Sequence, residues 1–130
     1  MFTSLDHPAI ACFDVEKLAD WYCKNLGMKV IASNGEKPPA MVIGYGPTLR
    51  GGAMIELMPV KHEGPAPASL GRFAPGIRHI ALRVTNFEDA HAKLVALGVT
   101  FTTEVGNAVG GGKTILFRDP EGNELQIVER

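Results

Sequence analysis

Polar and apolar residues alternate along this chain in two rhythms, and each rhythm occurs twice. Val15, Leu18, Ala19, Tyr22 and Leu26 recur every third or fourth position. Phe87, Ala90, Leu94 and Leu97 repeat that spacing further on. A stripe of this period predicts an amphipathic helix in each place. Asp14 and Asn86 stand ahead of the stripes as N-cap residues. Each stripe closes on a leucine followed by glycine, Leu26-Gly27 and Leu97-Gly98, where glycine takes the left-handed position that ends a helix. The other rhythm has period two and predicts strands: MKVIAS, AMVIGYG and GGAMIELMP after the first helix, VTFTTEV, KTILFRD and EGNELQIVE after the second.

The two series form an internal repeat. His7 and His79 each open a short apolar strand, and the N-cap residue follows seven positions later in both copies. In the last strand of each copy Gly52 falls on Gly122, Ile55 on Leu125, Glu56 on Gln126 and Leu57 on Ile127. Each copy therefore reads β-α-β-β-β, an α+β class. The expected organisation is one domain over residues 1–130. A first βαβββ module spans 1–58, a Pro- and Gly-rich linker 59–76 and a second module 77–130. Two modules of this size need each other to cover their sheets.

Alternation decides which side chains share a strand face. His7, Ala9 and Ala11 share one face, with Ile10 and Cys12 opposite; His79, Ala81 and Arg83 share one, with Ile80, Leu82 and Val84 opposite. The apolar sets are expected against the helices and the histidine sets on the other side of each sheet. Met54, Glu56 and Met58 share a face in the first copy, and Glu124, Gln126 and Val128 in the second. Alternation excludes Glu129 but does not separate Glu124 from Gln126; the repeat does, because Gln126 is the partner of Glu56. A two-fold pair of modules would bring His7, Glu56, His79 and Gln126 together. Two imidazoles, a carboxylate and an amide oxygen suit a divalent first-row ion such as Zn, Ni, Co, Mn or Fe. A single strand histidine is more often a polar residue finding a hydrogen bond; repetition of the whole set argues against that here.

Composition narrows the function class. The chain has 130 residues, 45% of them hydrophobic and 21% charged, with a formal net charge of −1. No basic field suggests nucleic acid or an anionic membrane, and no apolar run reaches spanning length. The N-terminal MFTSLDHPAI shows no signal-peptide pattern, and Cys12 and Cys23 make no disulfide framework, so a reducing cytoplasm is expected. GNAVGGGKT resembles a phosphate-binding loop only superficially, because the pattern needs glycine at Asn107 and a helix, not a strand, afterwards. A flexible loop is the plainer expectation. His62 is expected in a solvated loop, His91 on a helix surface, and Trp21 off the apolar stripe, where it could mark a subunit contact.

The two H-x6-[DN] openings, the IELMP strand at Glu56 and the FRDPEGNELQI hairpin resemble the vicinal oxygen chelate superfamily across nearly the whole chain. That superfamily includes glyoxalase I, methylmalonyl-CoA epimerase, extradiol dioxygenases, fosfomycin transferases and bleomycin-binding proteins. The resemblance implies paired βαβββ modules forming a curved mixed sheet around a metal cleft, and a homodimer. Neutral Gln126 in place of a last-strand glutamate departs from the dioxygenases and fosfomycin enzymes and favours a glyoxalase I-type lyase or isomerase. Its chemistry would be proton transfer through an enediolate on a small oxygen-chelating substrate, with Glu56 as base. Arg83, Met54 and Glu124 are the candidate substrate contacts. The alternatives are a drug- or toxin-binding protein without turnover, and an Fe(II) extradiol-type dioxygenase.

Overall fold

A computed structural model describes residues 1–130. The chain divides into two compact units, Met1–Glu63 and Gly64–Arg130. The first contains β1 (Ala9–Cys12), α1 (Val15–Leu26), β2 (Lys29–Ser33), β3 (Met41–Gly44) and β4 (Met54–Pro59). The second contains a 3-10 turn (Pro67–Ser69), β5 (Ile80–Val84), α2 (Phe87–Leu97), β6 (Gly106–Asn107), β7 (Lys113–Arg118) and β8 (Glu124–Glu129). Each unit carries a four-stranded mixed sheet, in the orders β1-β4-β3-β2 and β5-β8-β7-β6. The outer pairs β1/β4 and β5/β8 are parallel and the rest antiparallel. The fold is α+β with the βαβββ order in both units.

The helix boundaries follow from local chemistry. The Asp14 side chain accepts a hydrogen bond from the Lys17 backbone N–H, and Asn86 accepts one from Asp89. These satisfy amides that the first turn of a helix leaves without partners. Gly27 and Gly98 end the helices at φ 75° and 69°, a conformation that costs glycine nothing. In the first unit the predicted stripe is the buried one: Val15, Leu18, Ala19 and Tyr22 lie in the core with Ile43, Ile55 and Leu57. In the second, Phe87 and Leu94 are buried, as are Leu125 and Ile127, but Leu97 is exposed. His91 is not a plain surface residue. It is half-buried, its ring 5.5 Å from Phe87 and 5.2 Å from Phe101. Trp21 is half-buried on its helix, edge-on to Tyr22.

The strand expected over VTFTTEV forms differently. Phe101 bridges Phe117, with Thr102 N–H donating to Leu116 and Arg118 N–H to Thr100. The next ladder position is taken by a side chain, since Leu116 N–H donates to the Thr103 hydroxyl at 3.0 Å. A hydroxyl that competes with a backbone carbonyl interrupts the ladder, and regular pairing resumes only at Gly106–Asn107. The glycine-rich segment after it is a hairpin loop leading into β7, not a phosphate cradle on a helix. Arg130 holds it, its guanidinium donating to the Val109 and Gly111 carbonyls.

Candidate metal and substrate site

The parallel pairings set the register of the candidate ligands. Ala9 lies opposite Glu56, and Ala81 lies opposite Gln126. Each histidine precedes that alanine by two residues and lies just ahead of its strand rather than opening it. Glu56 and Gln126 therefore stand in the same relation to His7 and His79. In the first unit the backbone ties the two partners together, because Glu56 N–H donates to the Pro8 carbonyl at 3.0 Å.

The side chains of that pair converge. His7 Nε2 lies 3.2 Å from Glu56 Oε2, both half-buried. Two donor atoms sharing one first-row ion, each about 2.0–2.2 Å from it, stand about 3.0–3.5 Å apart. The pair is spaced for a shared cation, and imidazole with carboxylate is the donor chemistry such ions take. In the second unit His79 is exposed and Gln126 half-buried. Neither unit by itself holds three or more His, Cys, Asp or Glu side chains grouped for a metal.

A third group acts on His7. Asp6 Oδ1 lies 2.5 Å from Nδ1, so a carboxylate faces each nitrogen of the ring. Asp6 is the larger cause of a His7 pKa raised above its ordinary 6.5; partial burial opposes it and Glu56 adds to it. The sequence pattern did not single out Asp6, although an acid adjacent to a candidate ligand was a signal available in the chain.

The remaining candidates occupy varied surroundings. Arg83 is exposed on the His79 face. Met54 is 6% exposed and Glu124 9%, so neither is open to solvent. Glu124 pairs across the sheet with Arg118, whose Nη2 is 3.6 Å from Oε2. Arg118 also donates to the Gly122 carbonyl, while Glu124 Oε1 is buried without a hydrogen-bond partner. No local signal marked Arg118; only the β7/β8 register puts it beside Glu124. Glu129 faces the helix side, where Oε1 accepts from the Phe87 N–H at 3.0 Å. That contact adds a negative charge at the N-terminus of α2, and it keeps Glu129 off the ligand face, as alternation requires.

Comparison with known proteins adds a family to this geometry. The model of the glyoxalase/bleomycin resistance protein/dioxygenase superfamily matches residues 4–127. The chain belongs to that superfamily. It is 34% identical over 127 residues to a lactoylglutathione lyase of Escherichia coli O157:H7, covering 95% of this chain and 90% of that protein. The lactoylglutathione lyase of Salmonella typhimurium is 31% identical over the same shares. Among solved structures, glyoxalase I of Leishmania major matches with a TM-score of 0.71 at 22% identity, covering 98% of this chain and 87% of that one. A glyoxalase I mutant from Zea mays matches at TM-score 0.74 and 19% identity, covering 96% of this chain but 44% of the maize chain. These two similarities speak to the fold. No helix is long and apolar enough to cross a membrane.

Proposed function

We propose that this chain is a metal-dependent lyase of the glyoxalase I type, acting on a small substrate with two adjacent oxygens. The observation that carries the proposal is the convergence of His7 Nε2 and Glu56 Oε2 at 3.2 Å. The 34% identity to a lactoylglutathione lyase supports the reaction class. The proposed ligands are His7 and Glu56 from the first module and His79 and Gln126 from the second, one imidazole and one side-chain oxygen from each. A bound divalent ion would supply Lewis-acid stabilisation of negative charge developing on the substrate oxygens. Gln126 is neutral, so the ligand set carries one carboxylate and leaves more positive charge to meet that oxyanion.

Glu56 is the proposed base. It is the only carboxylate in the set and is half-buried, and its proposed task is to take a proton from the carbon beside the carbonyl and return it to the neighbour. Exposed Arg83 is the proposed partner for an anionic group on the substrate. A homodimer in the cytoplasm is the proposed working form.

The test combines metal analysis with turnover. Protein purified without added metal is expected to carry near-stoichiometric Zn, Ni, Co, Mn or Fe, and a His7→Ala/His79→Ala variant to lose it. Methylglyoxal with a thiol is the first substrate to try. Glu56→Gln keeps the shape of the side chain and removes the base, so turnover is expected to fall by about 100-fold or more. Normal activity in Glu56→Gln would sink the assignment. Tight binding of a small molecule with no turnover and no metal would point instead to a sequestering protein.

A further inference from the structure

Asp6 takes no part in the proposed proton transfer, yet its carboxylate makes the shorter of the two contacts to the His7 ring. The two ring nitrogens look in different directions: Nδ1 meets Asp6 Oδ1 at 2.5 Å and Nε2 meets Glu56 Oε2 at 3.2 Å. A nitrogen that binds a cation must give up its proton, so a neutral ligand histidine has to carry its hydrogen on the other nitrogen. An acceptor at Nδ1 does this and also stops the ring from rotating.

The backbone leaves the ring as the main freedom to be removed. Pro8 restricts His7 to extended conformations, and the Pro8 carbonyl is hydrogen-bonded to Glu56 N–H at 3.0 Å. The His7 Cα is thereby held beside Glu56, and what remains is which way the imidazole faces and which nitrogen is free. The second module lacks the device. The residue before His79 is Arg78, a guanidinium with donors only.

We propose that Asp6 is a positioning residue that holds His7 as the Nδ1–H tautomer with Nε2 free toward Glu56. The proposal rests on His7 being a metal ligand. It makes the two histidines of the repeat unequal, with His7 preset for a cation and His79 not.

The test uses the full chain with Asp6→Ala and Asp6→Asn. Asp6 is largely solvent-exposed, with 70% of its side-chain surface open, so both variants are expected to fold, which thermal midpoints check. Nitrogen NMR of the metal-free protein, recorded above the imidazole titration, reads the His7 tautomer directly. Zn or Co affinity by chelator competition reads the consequence. Wild type is expected to show Nδ1–H at His7. Asp6→Ala should move the hydrogen to Nε2 and weaken metal binding by about tenfold or more, the usual effect of losing such a partner. Asp6→Asn, which keeps an acceptor oxygen, should recover part of both. The His79 signals should not change. An Nε2–H tautomer in wild type, or an Asp6→Ala variant whose affinity stays within about twofold of wild type, overturns the proposal. Wild-type protein that takes up no metal overturns the ligand assignment itself, and Asp6 as its positioner with it.

Discussion

Asp119 should be the costliest single side chain to lose outside the apolar core. It sits at the head of the β7–β8 turn and is 5% exposed. Its Oδ1 accepts from the Glu121 and Asn123 backbone N–H groups, each at 2.9 Å, and Oδ2 accepts from the Asn123 side-chain amide at 2.9 Å. Asp119 N–H and carbonyl also close the turn, to Asn123 and from Gly122, and Gly122 turns the chain at φ 89°. Asp119→Ala removes the acceptor for three donors at once. A hydrogen bond to a charged acceptor contributes about 1.5–3 kcal/mol, and water reaching the part-buried turn recovers some of that. The net loss should be about 3 kcal/mol, or a fall in Tm of about 10 °C for a chain of this length. Asp119→Asn provides the internal control. Its Oδ1 can keep both backbone bonds and only the contact to the Asn123 amide is lost, so it should cost about 1 kcal/mol. Urea unfolding followed by tryptophan fluorescence and far-UV circular dichroism measures both. If the two variants lose the same stability, or if Asp119→Ala loses less than about 1 kcal/mol, the carboxylate does not hold the turn as argued. The turn also delivers Gln126 to its place opposite Ala81, so under the proposed ligand set Asp119→Ala should weaken metal uptake along with stability.

Two further outcomes follow from backbone geometry. Gly46 has no room for a side chain: a Cβ there would lie 1.5 Å from the Gly51 carbonyl oxygen. Gly46→Ala must spread the β3–β4 connection and should cost about 2 kcal/mol or more, read as a lowered urea midpoint; an unchanged midpoint would refute the close approach. Arg130 ties down the Val109 and Gly111 carbonyls, so Arg130→Ala should make the loop over residues 108–112 the first site of limited proteolysis, and cleavage elsewhere at an unchanged rate would count against it.

Much of this architecture can be read from short-range pattern. Caps, helix stripes and closing glycines involve residues within one or two turns of each other, and their chemistry does not depend on what packs against them. The repeat extended that legibility to longer range. Glu56 and Gln126 are matched by counting along the chain, and the structure places them opposite Ala9 and Ala81. Alternation likewise put Glu129 on the helix side of its strand, where it meets the Phe87 N–H.

Other features depended on contacts between segments far apart in sequence. Leu97 fits the apolar stripe of α2 but lies exposed, because periodicity states which face a residue occupies, not how far the sheet beneath extends. VTFTTEV has strand composition, yet the Thr103 hydroxyl takes a ladder position from the backbone and breaks the pairing. His91 meets Phe87 four residues earlier on its own helix, and its second ring contact came only when Phe101 was folded against α2. Glu124 and Gln126 share a face and differ by two residues. Yet Glu124 is drawn against Arg118 across the sheet, and Gln126 stays half-open.

Sequence by itself determined the α+β class, the doubled βαβββ order, the helix ends and the equivalence of Glu56 and Gln126 within the repeat, which the strand register bears out opposite Ala9 and Ala81. Each of these is set by local propensity or by the period of a repeated pattern. Tertiary structure decided that His7 Nε2 and Glu56 Oε2 stand 3.2 Å apart, that Asp6 holds the other ring nitrogen, and that Glu124 is buried against Arg118. Those are distances between side chains. A strand's alternation says which side of a sheet they leave from, and only packing says where they end.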